Sequence, residues 1–202
     1  MTTREDPIEA AVGALERGEV VALPTETVYG LAADASNPDA IERLFELKGR
    51  PNSVPLPLAV AAVEWVPDWA SVDDPRLERL ARRWWPGPLT VVLPARDEVS
   101  RVLTGGRATI AVRVPDQEQA RAVIARFGRA VALTSANVHG EPEARSADEV
   151  AATFGLQVAA IVDGGPSSIG EPSTIVALVD SEAPKILRRG ALSESQVLEA
   201  LK

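Results

Sequence analysis

Leu23-Pro24-Thr25-Glu26-Thr27-Val28-Tyr29-Gly30-Leu31 leaves an apolar run and enters a turn crowded with hydrogen-bonding side chains. The run before it, Glu19-Val20-Val21-Ala22-Leu23, reads as a buried strand. Proline cannot donate to a central ladder, so Pro24 marks the strand end. Two threonines, a glutamate and a tyrosine follow within five positions. Loops at strand ends are where α/β proteins place ligands, which makes this stretch a candidate site as well as a boundary. The plain alternative is a solvated turn with Tyr29 packed back on the core, and spacing alone leaves both open.

Working outward, residues 38–47 predict a helix. Asn37 suits its N-cap, Pro38 its first position, and Ile41, Leu44 and Phe45 share one face. Gly49 and Pro51 stop it, which leaves Lys48 and Arg50 at its C-terminal end. There they either complement the helix dipole or form a cationic pair aimed at phosphate.

The same pattern repeats along the chain. Asp6-Pro7 opens a helix carrying Ile8, Ala11, Val12 and Leu15 and ending at Gly18; Asp74-Pro75 opens another with Leu77, Leu80, Ala81 and Trp84 inward. Asp116 precedes a helix with Ala120, Val123, Ile124 and Phe127 on one face. Ser146 and Glu149 have capping-box spacing, and Ser193 with Gln196 starts a last helix. Strands are predicted at 57–61, 89–93, 109–114, 130–133, 159–162, 173–179 and 185–188. Interleaved helices and strands predict an α/β fold: one twisted, open, mixed sheet flanked by helices, in a single domain over residues 1–202.

The chain has 202 residues, a hydrophobic fraction of 46%, a formal net charge of −8 and no cysteine. That composition supports a sizeable core and excludes disulfides and thiol catalysis. The opening Met1-Thr2-Thr3-Arg4-Glu5-Asp6 lacks the apolar segment of a signal peptide, and no run suits a membrane span, so a cytoplasmic location is expected. The acidic balance argues against a broad nucleic-acid surface. His139 is the one histidine, which offers no transition-metal site. There is no Gly-x-Ser-x-Gly elbow, P-loop or Rossmann glycine pattern.

What remains is cations and hydroxyls delivered at strand ends: Lys48, Arg50, Arg113 and Arg188, with Thr25, Thr27, Thr90, Thr134, Ser135, Asn137 and Ser173. Such groups suit phosphate and carboxylate. The run Gly164-Gly165-Pro166-Ser167-Ser168-Ile169-Gly170 either turns backbone N–H groups toward an anion or is a surface loop.

Pro24-Thr25-Glu26-Thr27-Val28-Tyr29-Gly30-Leu31, Lys48-Gly49-Arg50-Pro51, Pro86-Gly87-Pro88-Leu89-Thr90, Val112-Arg113-Val114-Pro115, Thr134-Ser135-Ala136-Asn137, Ser173-Thr174-Ile175-Val176 and Leu187-Arg188-Arg189-Gly190 occur in that order. This set resembles the YrdC/Sua5 family, the L-threonylcarbamoyladenylate synthases, over nearly the whole chain. The resemblance implies a twisted sheet with a positively charged concave face. It implies condensation of L-threonine, bicarbonate or CO2, and ATP into threonylcarbamoyl-adenylate and pyrophosphate, for tRNA modification by partner threonylcarbamoyl transferase proteins. The family's Lys-x-Arg and Ser-x-Asn signature falls on Lys48, Arg50, Ser135 and Asn137, with Lys48 and Arg50 on the triphosphate. Thr90, Ser146 and Arg188 join the nucleotide side, and Thr27, Arg113 and Ser173 hold threonine. Mg2+ is expected through the ATP phosphates, with no metal site of the protein's own. Relatives regarded as RNA-binding keep open a binding module with weak RNA contact. Two departures stand out. Little chain follows Gly190, as in the short form of the family, and Ala59 stands where some members carry a histidine.

Overall fold

Capping chemistry sets most helix boundaries in the computed structural model, which describes residues 6–179 and 183–202. The reading of a polar opening without a leader falls largely on residues 1–5, outside the described residues. Asp6 accepts from Ile8 N at the start of α1 (Pro7–Glu16), and Asp74 caps α3 (Pro75–Trp84). Asn37 Oδ1 takes the N–H groups of Asp39 and Ala40 to open α2 (Pro38–Lys48), and Gly49 closes that helix at φ 62°, a left-handed conformation that suits glycine. The helix α5 (Glu118–Phe127) is capped by Gln117 rather than by Asp116. Ser146 caps α6 (Ala147–Phe154), but Glu149 reaches back to Arg145 N, one residue further, so the box is only half closed. The full box forms at Ser193 and Gln196, opening α7 (Glu194–Glu199). A short helix α4 (Arg101–Thr104) and 3₁₀ turns at Val63–Asp68 and Gly155–Gln157 complete the helical elements.

The strands are β1 (Val21–Leu23), β2 (Gly30–Asp34), β3 (Leu58–Ala59), β4 (Leu89–Pro94), β5 (Thr109–Arg113), β6 (Val131–Ser135), β7 (Ala160–Ile161), β8 (Thr174–Ala177) and β9 (Lys185–Arg188). They form one sheet in the order β7-β1-β2-β6-β3-β5-β4-β8-β9. The sheet is mixed: β1–β7, β3–β5 and β4–β8 are parallel, and the other pairs antiparallel. Strand β2 lies where the sequence reads as loop. It is central, between β1 and β6, and each of its five residues is buried.

The two faces of the sheet are covered unequally. One face packs on α2, α3, α6 and α7 through Ile41, Leu44, Phe45, Leu77, Leu80, Val150, Phe154 and Val197. On the other face, α1 and α5 cover Val21, Leu23, Ala32, Ala59, Val131 and Leu133. Strand alternation then separates β4 and β5 residue by residue. Val91, Leu93, Ile110 and Val112 join the first core, while Thr90, Val92, Thr109, Ala111 and Arg113 point the other way. Ala59, under α1 and α5, pairs with Arg113 in register, so Arg113 and the other four share that face but lie outside the cluster that the two helices cover. That half of the sheet forms the floor of a cavity. Among the described residues no helix is long and apolar enough to cross a membrane.

Candidate functional site

The cavity measures about 620 Å³. Its described lining includes Arg50, Arg107, Arg113, Lys185 and Arg188, and no aspartate or glutamate. Thr25, Thr27, Thr90, Thr109, Thr134, Ser135 and Ser173 add hydroxyls. A chain of net charge −8 thus gathers cations in one concave place. Low-dielectric walls focus such a field, so small anions concentrate there.

At one corner, Arg113 ends β5 and is 8% exposed. Its Nε donates to Gly87 O at 3.0 Å and its Nη1 to Thr27 Oγ1 at 2.9 Å. Thr25 Oγ1 donates to Val28 O at 2.5 Å, so its one proton is used and Thr27 must donate across the 2.8 Å gap to Thr25. The result is a directed chain from Arg113 through Thr27 and Thr25 to Val28. Pro24 directly follows β1, so Thr25 and Thr27 lie in the turn beyond the ladder. Arg113 Nη2 also lies 2.7 Å from Glu26 Oε1, although neither atom has a well-directed hydrogen bond.

Beyond that corner, across β4, Ser173 immediately precedes β8 and Arg188 ends β9. Arg188 Nη2 donates to Ser173 O at 2.8 Å and to Ser173 Oγ at 3.0 Å, and Thr90 Oγ1 lies 2.8 Å from Ser173 Oγ. Partial burial, with Arg113 and Arg50 nearby, pushes the Arg188 pKa below the ordinary arginine value. Arg50 donates to Thr134 Oγ1 at 3.3 Å and to Pro55 O at 3.1 Å, and desolvation lowers its pKa too. Repulsion among these guanidinium groups falls when an anion enters between them.

Lys48 behaves differently. It is 2% exposed, and its ammonium points away from the helix-terminal carbonyls into the turn after β6. It donates to Ser135 O at 2.5 Å, Ser135 Oγ at 3.2 Å, Asn137 O at 3.1 Å and Asn137 Oδ1 at 2.5 Å. Burial first, and then the Arg50 charge, brings its pKa down to about 8. Asn137 Nδ2 donates to Glu141 O at 2.5 Å, and Ser146 Oγ accepts from Glu149 N. The structure therefore brings Thr27, Arg50, Thr90, Arg113, Ser135, Ser173 and Arg188 to the cavity wall and sets Lys48, Asn137 and Ser146 behind it.

Other expectations resolve as well. Tyr29 is fully buried, and its hydroxyl donates to Gly165 O at 2.8 Å and accepts from Gly164 N at 3.2 Å; burial raises its pKa. The N–H groups of Gly165, Ser167 and Ile169 go to Asp163 Oδ1, Arg145 O and Glu26 O, so this loop is strapped down rather than open to an anion. Sequence reasoning missed Arg107 and Lys185 on the wall and Glu26 behind it. Arg107 directly follows a Gly-Gly turn, and Lys185 opens the strand that Arg188 ends.

Fold and site together define an open-faced α/β protein with a cavity whose charged lining is cationic among the described residues, over half of one sheet face. The sequence model of the Sua5/YciO/YrdC family, described as "Telomere recombination", matches residues 13–190, and the chain belongs to that family. It is 39% identical to a Bacillus subtilis protein named threonylcarbamoyl-AMP synthase, over 98% of this chain and 57% of that one. It is 43% identical to a Pyrococcus abyssi protein of the same name, over 94% of this chain and 56% of that one. The structure of P. abyssi Sua5 complexed with L-threonine superposes with a TM-score of 0.92 at 42% identity, covering 98% of this chain and 58% of that chain. The chain thus spans little more than half the length of these relatives.

Proposed function

We propose that this chain is a threonylcarbamoyl-AMP synthase, a nucleotidyltransferase that condenses L-threonine, bicarbonate or CO2, and ATP into threonylcarbamoyl-adenylate and pyrophosphate. The observation that carries this reading is the convergence of Arg50, Arg113 and Arg188 with the hydroxyls of Thr27, Thr90 and Ser173 on one cavity. The names of the similar proteins, and the threonine bound to the similar P. abyssi Sua5, support it.

In this reading the threonine amine adds to CO2 and releases a proton, giving a carbamate. A carbamate oxygen then attacks the α-phosphorus, and the bond to pyrophosphate breaks. No covalent enzyme nucleophile is needed, so the protein's contribution is alignment and charge stabilisation. Arg113, with Thr27 and Ser173, takes the threonine carboxylate. Arg50 takes the triphosphate, and Arg188, Thr90 and Ser135 line the nucleotide side. Lys48 and Asn137 serve that side through the Ser135 turn that they hold. A nucleotide role for Ser146 requires it to give up its cap on α6.

Mg2+ would arrive on the ATP phosphates. Among the described residues no three His, Cys, Asp or Glu groups gather that could hold a metal ion. A cavity lined by hydroxyls and guanidinium groups would leave such an ion its phosphate and water ligands. The chain acts, in this reading, as a single YrdC-like domain in the cytoplasm, and it passes its product to tRNA-modifying threonylcarbamoyl transferase proteins. Direct RNA contact is weak at a net charge of −8.

A dropout assay tests the reaction. Pyrophosphate release is expected only with ATP, L-threonine and bicarbonate together, and equal release without threonine refutes the synthase reading.

A further inference from the structure

The turn after β1 carries a buried carboxylate with no part in the roles assigned above. Thr25 and Thr27 line the cavity, but Glu26 between them does not. Glu26 is 8% exposed, and its Oε1 lies 2.7 Å from Arg113 Nη2. Neither carboxylate oxygen has a well-directed hydrogen bond, so the side chain acts on Arg113 mainly as a charge. Arg113 is already oriented by Gly87 O and Thr27 Oγ1. As a stability device the pair is poor, because burying two charges costs about what their attraction returns. Its effect on the cavity is clearer. Arg50 and Arg188 donate to neutral oxygens of Thr134, Pro55 and Ser173, so their charge stays available to a ligand. Among the described residues, Arg113 is the one of these three in an ion pair with a carboxylate, while Glu143 acts on Arg188 through its field and not through a salt bridge.

We propose that Glu26 is a specificity determinant: by pairing with Arg113 it keeps that corner close to neutral, so the corner accepts an amino-acid zwitterion and excludes phosphate. The proposal rests on the amino-acid reading of Arg113 given above. A zwitterion brings a carboxylate for Arg113 and an ammonium that a nearby carboxylate favours. Phosphate brings up to two negative charges and no cation, so Glu26 opposes it. Phosphate is left to Arg50, which donates only to neutral oxygens among the described residues.

The test is calorimetric titration of L-threonine into the full chain, with and without inorganic phosphate, for wild type, Glu26→Gln and Glu26→Asp. In the wild type, phosphate is expected to leave threonine affinity unchanged. In Glu26→Gln it should displace threonine at concentrations at least ~10-fold lower, because one opposing charge has been removed within contact distance. Glu26→Asp, which keeps the charge, should discriminate as the wild type does. Displacement of threonine by phosphate in the wild type overturns the proposal, and so does a folded Glu26→Gln protein that still excludes phosphate. If melting curves show that Glu26→Gln does not fold, Glu26→Ala, which also removes the charge, is titrated in its place with the same two deciding outcomes. A wild type that binds no threonine at all defeats the amino-acid reading itself and this proposal with it; intact threonine binding confines any failure to Glu26.

Discussion

Lys48 and Arg50 are near-equivalents in sequence, two cations flanking Gly49 at the end of one helix. The structure sends them opposite ways. Arg50 stays at the cavity wall, while Lys48 turns inward and ties Ser135 to Asn137. That direction is not legible in the sequence, since both directions follow from the same helix end and only the packing of β6 decides. Removing the ammonium strands buried carbonyl and side-chain oxygens at a cost of roughly 2–3 kcal/mol. Lys48→Met should therefore lower the melting temperature by roughly 5–10 °C as well as slow turnover. Arg50→Ala should act mainly on turnover, by about 10²–10³-fold, through lost stabilisation of phosphate charge. Parallel melting and rate measurements check both; an unchanged melt for Lys48→Met would remove the clamp. Arg113 was legible as a charge near the end of an apolar strand, where it needs a partner. Arg113→Lys keeps the charge but loses the fork that spans Gly87 and Thr27. Threonine affinity should fall at least ~10-fold with ATP affinity little changed. Calorimetry that finds ATP binding hit harder would reassign this corner.

Among the elements, strands rich in valine, isoleucine and leucine were readable, and so were the longer helices with capped starts; the one-turn α4, capped by Ser100, was not. β2 was not, because Gly30-Leu31-Ala32-Ala33-Asp34 has little intrinsic strand preference. It is a strand because β1 and β6 bond it on both sides and its small residues let α1 and α2 pack close. Gly30 shows how tight that is: a Cβ there would lie 2.6 Å from Leu133 Cδ1. At the other side of the sheet, β8 is tied to the segment leading into α7. Thr174 is fully buried; its Oγ1 donates to Leu192 O at 2.7 Å and accepts from Leu192 N at 2.9 Å. Valine has the same shape and neither bond. Thr174→Val should cost roughly 1–3 kcal/mol, seen as a lower urea midpoint with an unchanged slope. A wild-type midpoint would mean that this tie contributes nothing to holding the last helix.

For the whole molecule, charge distribution matters more than the sum. A net charge of −8 repels polyanions at long range, yet the described cavity wall is purely cationic. Screening over roughly 8–10 Å separates these two effects. A small anion that reaches the mouth feels the local field, whereas an extended strand of RNA also meets the net negative charge of the rest of the chain. Pyrophosphate should therefore stabilise the free protein. At about a hundredfold its dissociation constant the gain is about 2.7 kcal/mol, or roughly 5–10 °C in melting temperature. Arg188→Ala should remove most of that gain, because Arg188 donates to Ser173, feels the Arg113 and Arg50 charges, and forms no ion pair among the described residues. Single-stranded RNA at equal phosphate concentration and near-physiological salt should produce no shift. An RNA-induced shift that matched pyrophosphate and survived Arg188→Ala would place the anion site outside the cavity, and with it the part of the proposed chemistry that needs the phosphates beside Arg50.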